Sequence, residues 1–435
     1  MQLKKSRAIR HKLALASSAL LLSTPGTHDT QASEMNEPST DNIGISQLYY
    51  QETGRVSVNK TQAIVSKKIG EKDTIKLNYV YDTMSGASPN GRIYTGSATT
   101  GTQTITGVSG AANGNSTSWK TNFQDTRNAL NGEWEHKFFR QFTGIFGAGS
   151  SKENDYNSNT FSGKALLDIN QRRTTLTAGF SVSLDTVIPF GGVPNGGSKV
   201  ACNALTFTPT WLDCDAPNTI SKPADKVVND YLFGITQVWN KRTLMQLNFA
   251  YSVEDGYLTD PYKQVSVLNS NFPQGEVAIL YEKRPRARNT RSLYYKVVHV
   301  PTDNTAIYFS YRLFWDDWDV KADTFDGRLR MNISPRVYIQ THARAHWQTA
   351  AKFFRPYVGA DPGSLYYEKN GPEFVSADSR LSTLVTFTAG AKLGVTLNSS
   401  SQISLRIEKM TQRYDNRLLP TMQVMITQVN LIFRF

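Results

Sequence analysis

Two histidines four residues apart, in His342-Ala343-Arg344-Ala345-His346, have the look of a ligand pair for a metal ion. Their surroundings alternate, however. Val337, Ile339, Thr341, Ala343, Ala345 and Trp347 share one face, and Tyr338, Gln340, His342, Arg344 and His346 share the other. That is the period of a strand, on which positions four apart are about 13 Å separated, too far to share one ion. Past residue 32 only His136 and His299 remain, and no GxSxG, HExxH or phosphate-cradling glycine loop accompanies them. The chain therefore reads as a non-enzyme, with no cofactor and no metal expected. A barrel hydrolase with an unrecognised triad is the alternative.

Charge offers a second chemistry. Between Tyr281 and Ser292, Lys283, Arg284, Arg286, Arg288 and Arg291 stand against a single acid, Glu282. At a channel mouth such a run would draw anions inward or hold lipopolysaccharide phosphates through guanidinium forks. Paired within the protein, or simply solvated, it would do neither. Alternation also puts Arg312, Arg328, Arg330, Arg336, Arg344 and Arg406 on the polar faces of late strands, and Glu133, Glu135, Asp168, Asp185 and Glu254 on those of earlier ones. Around a water-filled lumen these would set up a transverse field favouring small polar, zwitterionic or anionic solutes; a plug of salt bridges is the alternative. Cys202 and Cys214 share a loop at 187–227 without a CxxC pattern. In an oxidising compartment a disulfide bracing that loop is expected, worth roughly 3 kcal/mol.

The elements that must carry these residues are strands. They recur at about 43–51, 54–67, 74–82, 127–138, 142–152, 157–168, 174–186, 228–239, 243–254, 291–300, 305–315, 319–333, 336–348, 380–394, 402–412 and 422–435. None of the 17 prolines falls inside them, as a hydrogen-bonded ladder requires. Connections alternate between short polar turns (Asn170 to Arg173, Asn240 to Arg242, Pro301 to Asn304, Asn398 to Ser400) and long loops near 83–126, 187–227, 255–290 and 349–379. Short turns at one end and long loops at the other describe an up-and-down antiparallel transmembrane β-barrel, of about 16 strands, with 14 as the other possibility. Trp134, Phe138, Trp239, Trp315, Trp318, Trp347 and Phe433 are the expected interfacial aromatics. Asp82 to Gly91, rich in turn residues, reads as the start of a long loop that either folds inward or stays solvated.

Composition agrees. With 435 residues, 39% hydrophobic, and no apolar run near the roughly 20 residues of a spanning helix, a helical membrane protein is excluded. Two cysteines exclude a disulfide-dense scaffold and a four-thiolate metal site. Lys4, Lys5, Arg7, Arg10 and Lys12, followed by the apolar run Leu13 to Ser23, form a Sec-type signal peptide over 1–32, leaving a short segment at 33–42 and a barrel at 43–435. Removing that signal takes five basic residues and one acid from the net +12, leaving +8. Much of the apparent affinity for nucleic acid leaves with it, and none is expected as a partner. The last strand, with Gln423, Met425, Thr427, Val429, Leu431, Phe433 and Phe435 on one face, resembles the C-terminal signal read by the barrel assembly machinery.

Several segments also resemble a known family. Asp82-Thr83-Met84-Ser85-Gly86-Ala87-Ser88-Pro89-Asn90-Gly91, Asp125-Thr126-Arg127, Gly256-Tyr257-Leu258-Thr259-Asp260-Pro261-Tyr262-Lys263, Glu282-Lys283-Arg284-Pro285, Tyr311-Arg312 with Asp316-Asp317-Trp318, and Ser376-Ala377-Asp378 with Arg380-Leu381 are similar to an uncharacterised Gram-negative family, domain of unknown function 3570. The resemblance implies an outer-membrane barrel with no assigned substrate. The usual gene neighbourhood of that family implies a lipoprotein partner and a link to periplasmic redox or flavin biology. The expected function is a porin-like channel or transporter for small polar or anionic solutes, in contact with outer-membrane lipid and lipopolysaccharide. The alternative is a non-conducting barrel that binds or exports for a periplasmic or lipoprotein component.

Overall fold

In a computed structural model, described over residues 41–92, 120–201, 219–220, 222–269, 276–360, 372–415 and 419–435, sixteen antiparallel strands close on themselves. They are β1 Asn42–Glu52, β2 Val56–Ile69, β3 Asp73–Pro89, β4 Lys120–Lys137, β5 Phe142–Lys152, β6 Tyr156–Ile169, β7 Thr174–Val187 and β8 Ala224–Asn240, then β9 Thr243–Gly256, β10 Ala287–Thr302, β11 Thr305–Asp316, β12 Lys321–Asn332, β13 Val337–Gln348, β14 Leu384–Thr396, β15 Ser401–Tyr414 and β16 Met422–Arg434. Each strand pairs with its sequence neighbour, and β1 closes on β16 from Asn42↔Arg434 to Glu52↔Val424. Closure removes the unpaired edges that no open sheet could keep in lipid. The proposed signal segment, Cys202 and Cys214 lie outside the described residues.

Every wall strand separates two environments. Phe161 (57% exposed), Phe387 (55%) and Leu405 (42%) point outward with the other large apolar residues of alternate positions, while polar residues such as Ser46, Gln246, Asn248 and Gln428 are buried inside. Outside apolar and inside polar is the inverse of a soluble core and the pattern of a membrane barrel. The aromatic residues Trp134, Phe138, Trp239, Trp347 and Phe433 are outward and exposed as expected. Trp318 is not: it is 3% exposed and packs edge-on against Phe353, because the turn after β11 folds inward.

Two further expectations change. Asp82 to Pro89 continues β3, paired with β4 from Asp82↔Arg127 to Pro89↔Lys120; its turn-forming residues yield to ladder pairing on both sides. Arg336 sits in the turn before β13 and is exposed there, outside the lumen.

The termini of the barrel and the turns at 70–72, 138–141, 170–173, 241–242, 303–304, 333–336 and 397–400 lie at one end, and the long connections lie at the other. There the described loop segments build a second unit. Gln264–Asn269 pairs antiparallel with Glu276–Tyr281 and parallel with Val358–Ala360, and Glu276–Tyr281 pairs with Lys199–Ala201. Two small apolar cores support it. Val265, Val375 and Ala377 form one, and Trp318, Val320, Ala351, Phe353 and Leu381 the other.

Candidate functional site

Inside the wall is a cavity of about 1180 Å³, lined by inward residues from both halves of the barrel and bounded at the loop end by Asp260, Lys263, Arg284, Asp378 and Arg380. Those five, with Glu282, form one ionic cluster drawn from two loops. The Lys283↔Val375 bridge, closed by Lys283 N–H to Val375 C=O and Val375 N–H to Lys283 C=O at 2.9 Å each, sets Glu282 and Arg284 against Ser376 and Asp378. Arg284 Nη2 donates to Asp378 Oδ2 at 2.8 Å, and its Nε lies 2.7 Å from Glu282 Oε1 as a charge contact, not an aligned hydrogen bond. Glu282 also accepts from the Asp260 amide at 2.7 Å and from the Ser376 hydroxyl. Arg380 Nε donates to Asp378 and its Nη2 to Asp260. Lys263 Nζ donates to the Pro89 carbonyl at 2.6 Å, tying the cluster to the end of β3. Gly256 begins this loop at φ +118°, with Asp225 O only 2.3 Å from where a Cβ would stand, so no other residue fits the turn off β9.

Burial decides the electrostatics. Glu282 is 0% exposed and burial pushes its carboxyl up, against the pull of Arg284. Burial would raise Asp378 as well, but Arg380, Lys263 and Arg284 outweigh it and hold that carboxyl far below the usual range. Lys263 is drawn down by burial against Asp378 and Asp260. Arg380, though walled in by protein, keeps 61% of its side chain accessible, because it projects into the cavity.

Two smaller sites flank the cluster. Arg288 donates twice to Asp316 Oδ2, at 2.9 and 2.6 Å, and lies 4.5 Å over the Trp318 ring. Arg127 donates to Asp82 Oδ2 at 2.7 Å and approaches Glu153 at 3.9 Å. Asp125, Glu153 and Asp155 bring carboxylate oxygens within 4.8 Å of one another. Burial pushes the Glu153 carboxyl up to about 8 despite Arg127, and Asp125, Asp155 and Asp82 add to the rise. That relieves much of the repulsion in the group.

Of the residues singled out from sequence, Glu133, Glu135, Asp168, Asp185, Glu254, Arg312, Arg328, Arg330, Arg344 and Arg406 all fall on inward positions of their strands. Lys76 and Lys164 approach Glu135 and Glu133 at 3.7 and 3.8 Å, and Lys226 approaches Asp185 at 3.3 Å. Arg328 pairs with Asp326 at 3.2 Å, Arg406 with Glu408 at 3.5 Å and with Gln428, and Arg330 stacks on Tyr338 at 3.7 Å. His342 bridges Asp326 and Glu408 at 2.8 Å each, whereas His346 meets Thr324 at 2.8 Å, so the two histidines serve separate contacts. The basic run is not one patch: Arg284 and Arg288 are ion-paired, Arg286 is exposed, Arg291 lies 5.6 Å over Tyr251, and Lys283 lies 5.7 Å over Phe374. Sequence charge patterning did not single out Asp260, Lys263, Asp378 or Arg380, because they are scattered over 120 positions; the family motifs were the only signal that contained them.

A family model described as "Protein of unknown function (DUF3570)" matches residues 11–433. The chain belongs to this family. No curated protein matches it. Among solved structures it is similar to a bacterial polysaccharide outer membrane secretin (8% identity, 91% of this chain and 98% of that one, TM-score 0.44). It is also similar to the CymD monoaromatic hydrocarbon channel (8% identity, 95% and 94%, TM-score 0.40). A third is a mutant of the ferric enterobactin receptor of Pseudomonas aeruginosa (10% identity, TM-score 0.42), of which it covers 86% of its own length but only 54% of the receptor's; the chain thus spans about half of that receptor. Within this DUF3570 member, motifs far apart in sequence converge on the loop end. Asp260 and Lys263, Glu282 and Arg284, and Asp378 and Arg380 form the buried cluster, while Asp316 and Trp318 hold Arg288, and Asp82 holds Arg127.

Proposed function

We propose that the protein is a channel or transporter of the Gram-negative outer membrane for small polar solutes, with anionic ones favoured. The observation that carries this reading is the cavity of about 1180 Å³ within a closed sixteen-stranded wall, a strand number at which an aqueous lumen is expected. Its walls differ in sign. On β10 to β15 the inward bases, among them Arg288, Arg312, Arg328, Arg344 and Arg406, outnumber the inward acids Asp316, Asp326 and Glu408. On β4 to β9, Asp125, Glu133, Glu135, Asp185, Asp230 and Glu254 outnumber Arg127, Lys164 and Lys226. Opposed walls of this kind orient dipolar solutes and concentrate anions along the basic side. The apolar outer belt supports contact with lipid, and lipopolysaccharide at the loop end.

The buried loop cluster supports a second reading, a barrel closed at rest that acts as the binding or export partner of a lipoprotein or periplasmic component. Single-channel recording in planar bilayers separates the two. Steady conductance with solute-dependent block is expected; a correctly inserted barrel that carries no current would reject the channel and leave the partner reading.

A further inference from the structure

Most charged side chains on the inner wall have found opposite charges. Arg312 and Arg344 form no direct ion pair among the described residues, and both line the cavity. Among the described residues neither has a carboxylate within 4.0 Å or a hydrogen bond; Arg312 has only the Phe314 ring, 5.5 Å from its guanidinium. The cause lies in the register. Asp326 stands opposite Arg344 across β12 and β13, but its Oδ1 is taken by Arg328 at 3.2 Å and its Oδ2 by His342 at 2.8 Å. Glu408, the next acid on this side, is held by His342 and Arg406. Arg312 is opposite Thr324, which is in turn opposite His346, so its row contains no acid at all. Arg312 keeps an accessible side chain even though it points inward, and it lines the cavity.

Two cations in electrostatic reach of each other, Arg312 facing no acid and Arg344 feeling Asp326 and Glu408 only beyond ion-pair distance, form a place for an anion. β11 and β13 are separated by one strand, so their backbones are about 10 Å apart, within the combined reach of two arginine side chains closing on one small ligand. Between and beside them, Thr324, Thr386 and Thr388 present hydroxyls to the same cavity. Guanidinium forks bind oxyanions in two-point fashion, and two of them match a doubly charged ligand better than a singly charged one.

We infer that Arg312 and Arg344 form an anion-binding subsite in the lumen, selective for small dianionic oxyanions such as a phosphate or a short dicarboxylate. It rests on the channel reading for its role in transport, and on the geometry alone for binding. The full chain, folded in detergent, is titrated calorimetrically with inorganic phosphate and, separately, with succinate. Saturable binding of at least one is expected, about tenfold weaker in Arg312→Gln and in Arg344→Gln, and lost in the double variant. Arg336→Gln, which changes an arginine in the exposed turn before β13, outside the lumen, should bind as the wild type does. Preference between the two probes identifies the phosphate or the carboxylate source. Far-UV circular dichroism verifies that each variant is folded. Absence of saturable binding in the wild type, or equal binding in the double variant, overturns the subsite. Conductance distinguishes the two proposals: binding without current rejects the channel and keeps the subsite, and current without dianion binding or block does the reverse.

Discussion

The sharpest test of the loop assembly is Arg284→Met, which keeps roughly the volume of the side chain and removes its charge. In the wild type Arg284 stands between two fully enclosed carboxylates, Glu282 at 0% and Asp378 at 1% side-chain exposure. Removing one partner of a buried ionic group costs about 3–5 kcal/mol, because the charges left behind stay desolvated. Here both acids keep other partners: Glu282 has the Asp260 amide and the Ser376 hydroxyl, and Asp378 has Arg380. The lower end, about 3 kcal/mol, is therefore expected, a change on the order of a hundredfold in the local opening equilibrium. Because the wall strands pair only with one another, that loss should fall on the loops alone. Amide hydrogen exchange, read peptide by peptide, measures it: residues 258–269, 279–285 and 374–381 should exchange about a hundredfold faster, with β14 to β16 unchanged. If loop protection is unaltered, the ion cluster does not hold the assembly. If the wall loosens equally, the assembly is not a separate unit. A double variant with Asp378→Asn should cost less than the sum of the singles, since the two remove one shared interaction.

Other consequences follow from single positions. Phe161→Arg places a charge on the outer belt and should cost about 2–4 kcal/mol of stability in liposomes, while Arg at the neighbouring inward Thr160 should cost much less; equal urea midpoints would contradict the inside-outside assignment. Gly390 separates His342 from Glu408 across β14, and a Cβ there would stand 2.3 Å from Ile407 O and 2.5 Å from Glu408 Cγ. Gly390→Ala should lower stability by about 1–3 kcal/mol, and a denaturation curve superimposable on the wild type would show that the wall adjusts freely. Glu153, raised by burial from its ordinary 4.5 to about 8, binds its proton more tightly in the folded rim hairpin than in the unfolded chain. Hairpin stability should therefore fall as pH rises from about 4.5 through about 8. Exchange at residues 150–157, corrected for intrinsic rate, should show this trend in the wild type and not in Glu153→Gln; a flat profile in both would rule out the buried acid.

Local chemistry along the chain determined the wall. Alternation in segments such as Arg336 to Gln348, prolines kept out of the strand interiors, and short turns opposite long loops predict about sixteen strands and say which side chains face inward, because the period of two is a property of each strand by itself. The same reasoning mistook Asp82 to Pro89 for a loop, where pairing to β2 and β4 overrides turn-forming residues, and Trp318 for a girdle residue, where an inward turn buries it. Which inward charges are satisfied was beyond its reach. Arg328 and Arg344 look alike in sequence, two basic residues on polar faces, yet one holds Asp326 and the other finds that acid already occupied. Asp260, Glu282 and Asp378 are likewise ordinary acids until two loops bring them around Arg284. Facing is local, and the sequence determined it; partnership depends on register across strands and on loop contacts over a hundred residues apart, and only the tertiary structure decided it.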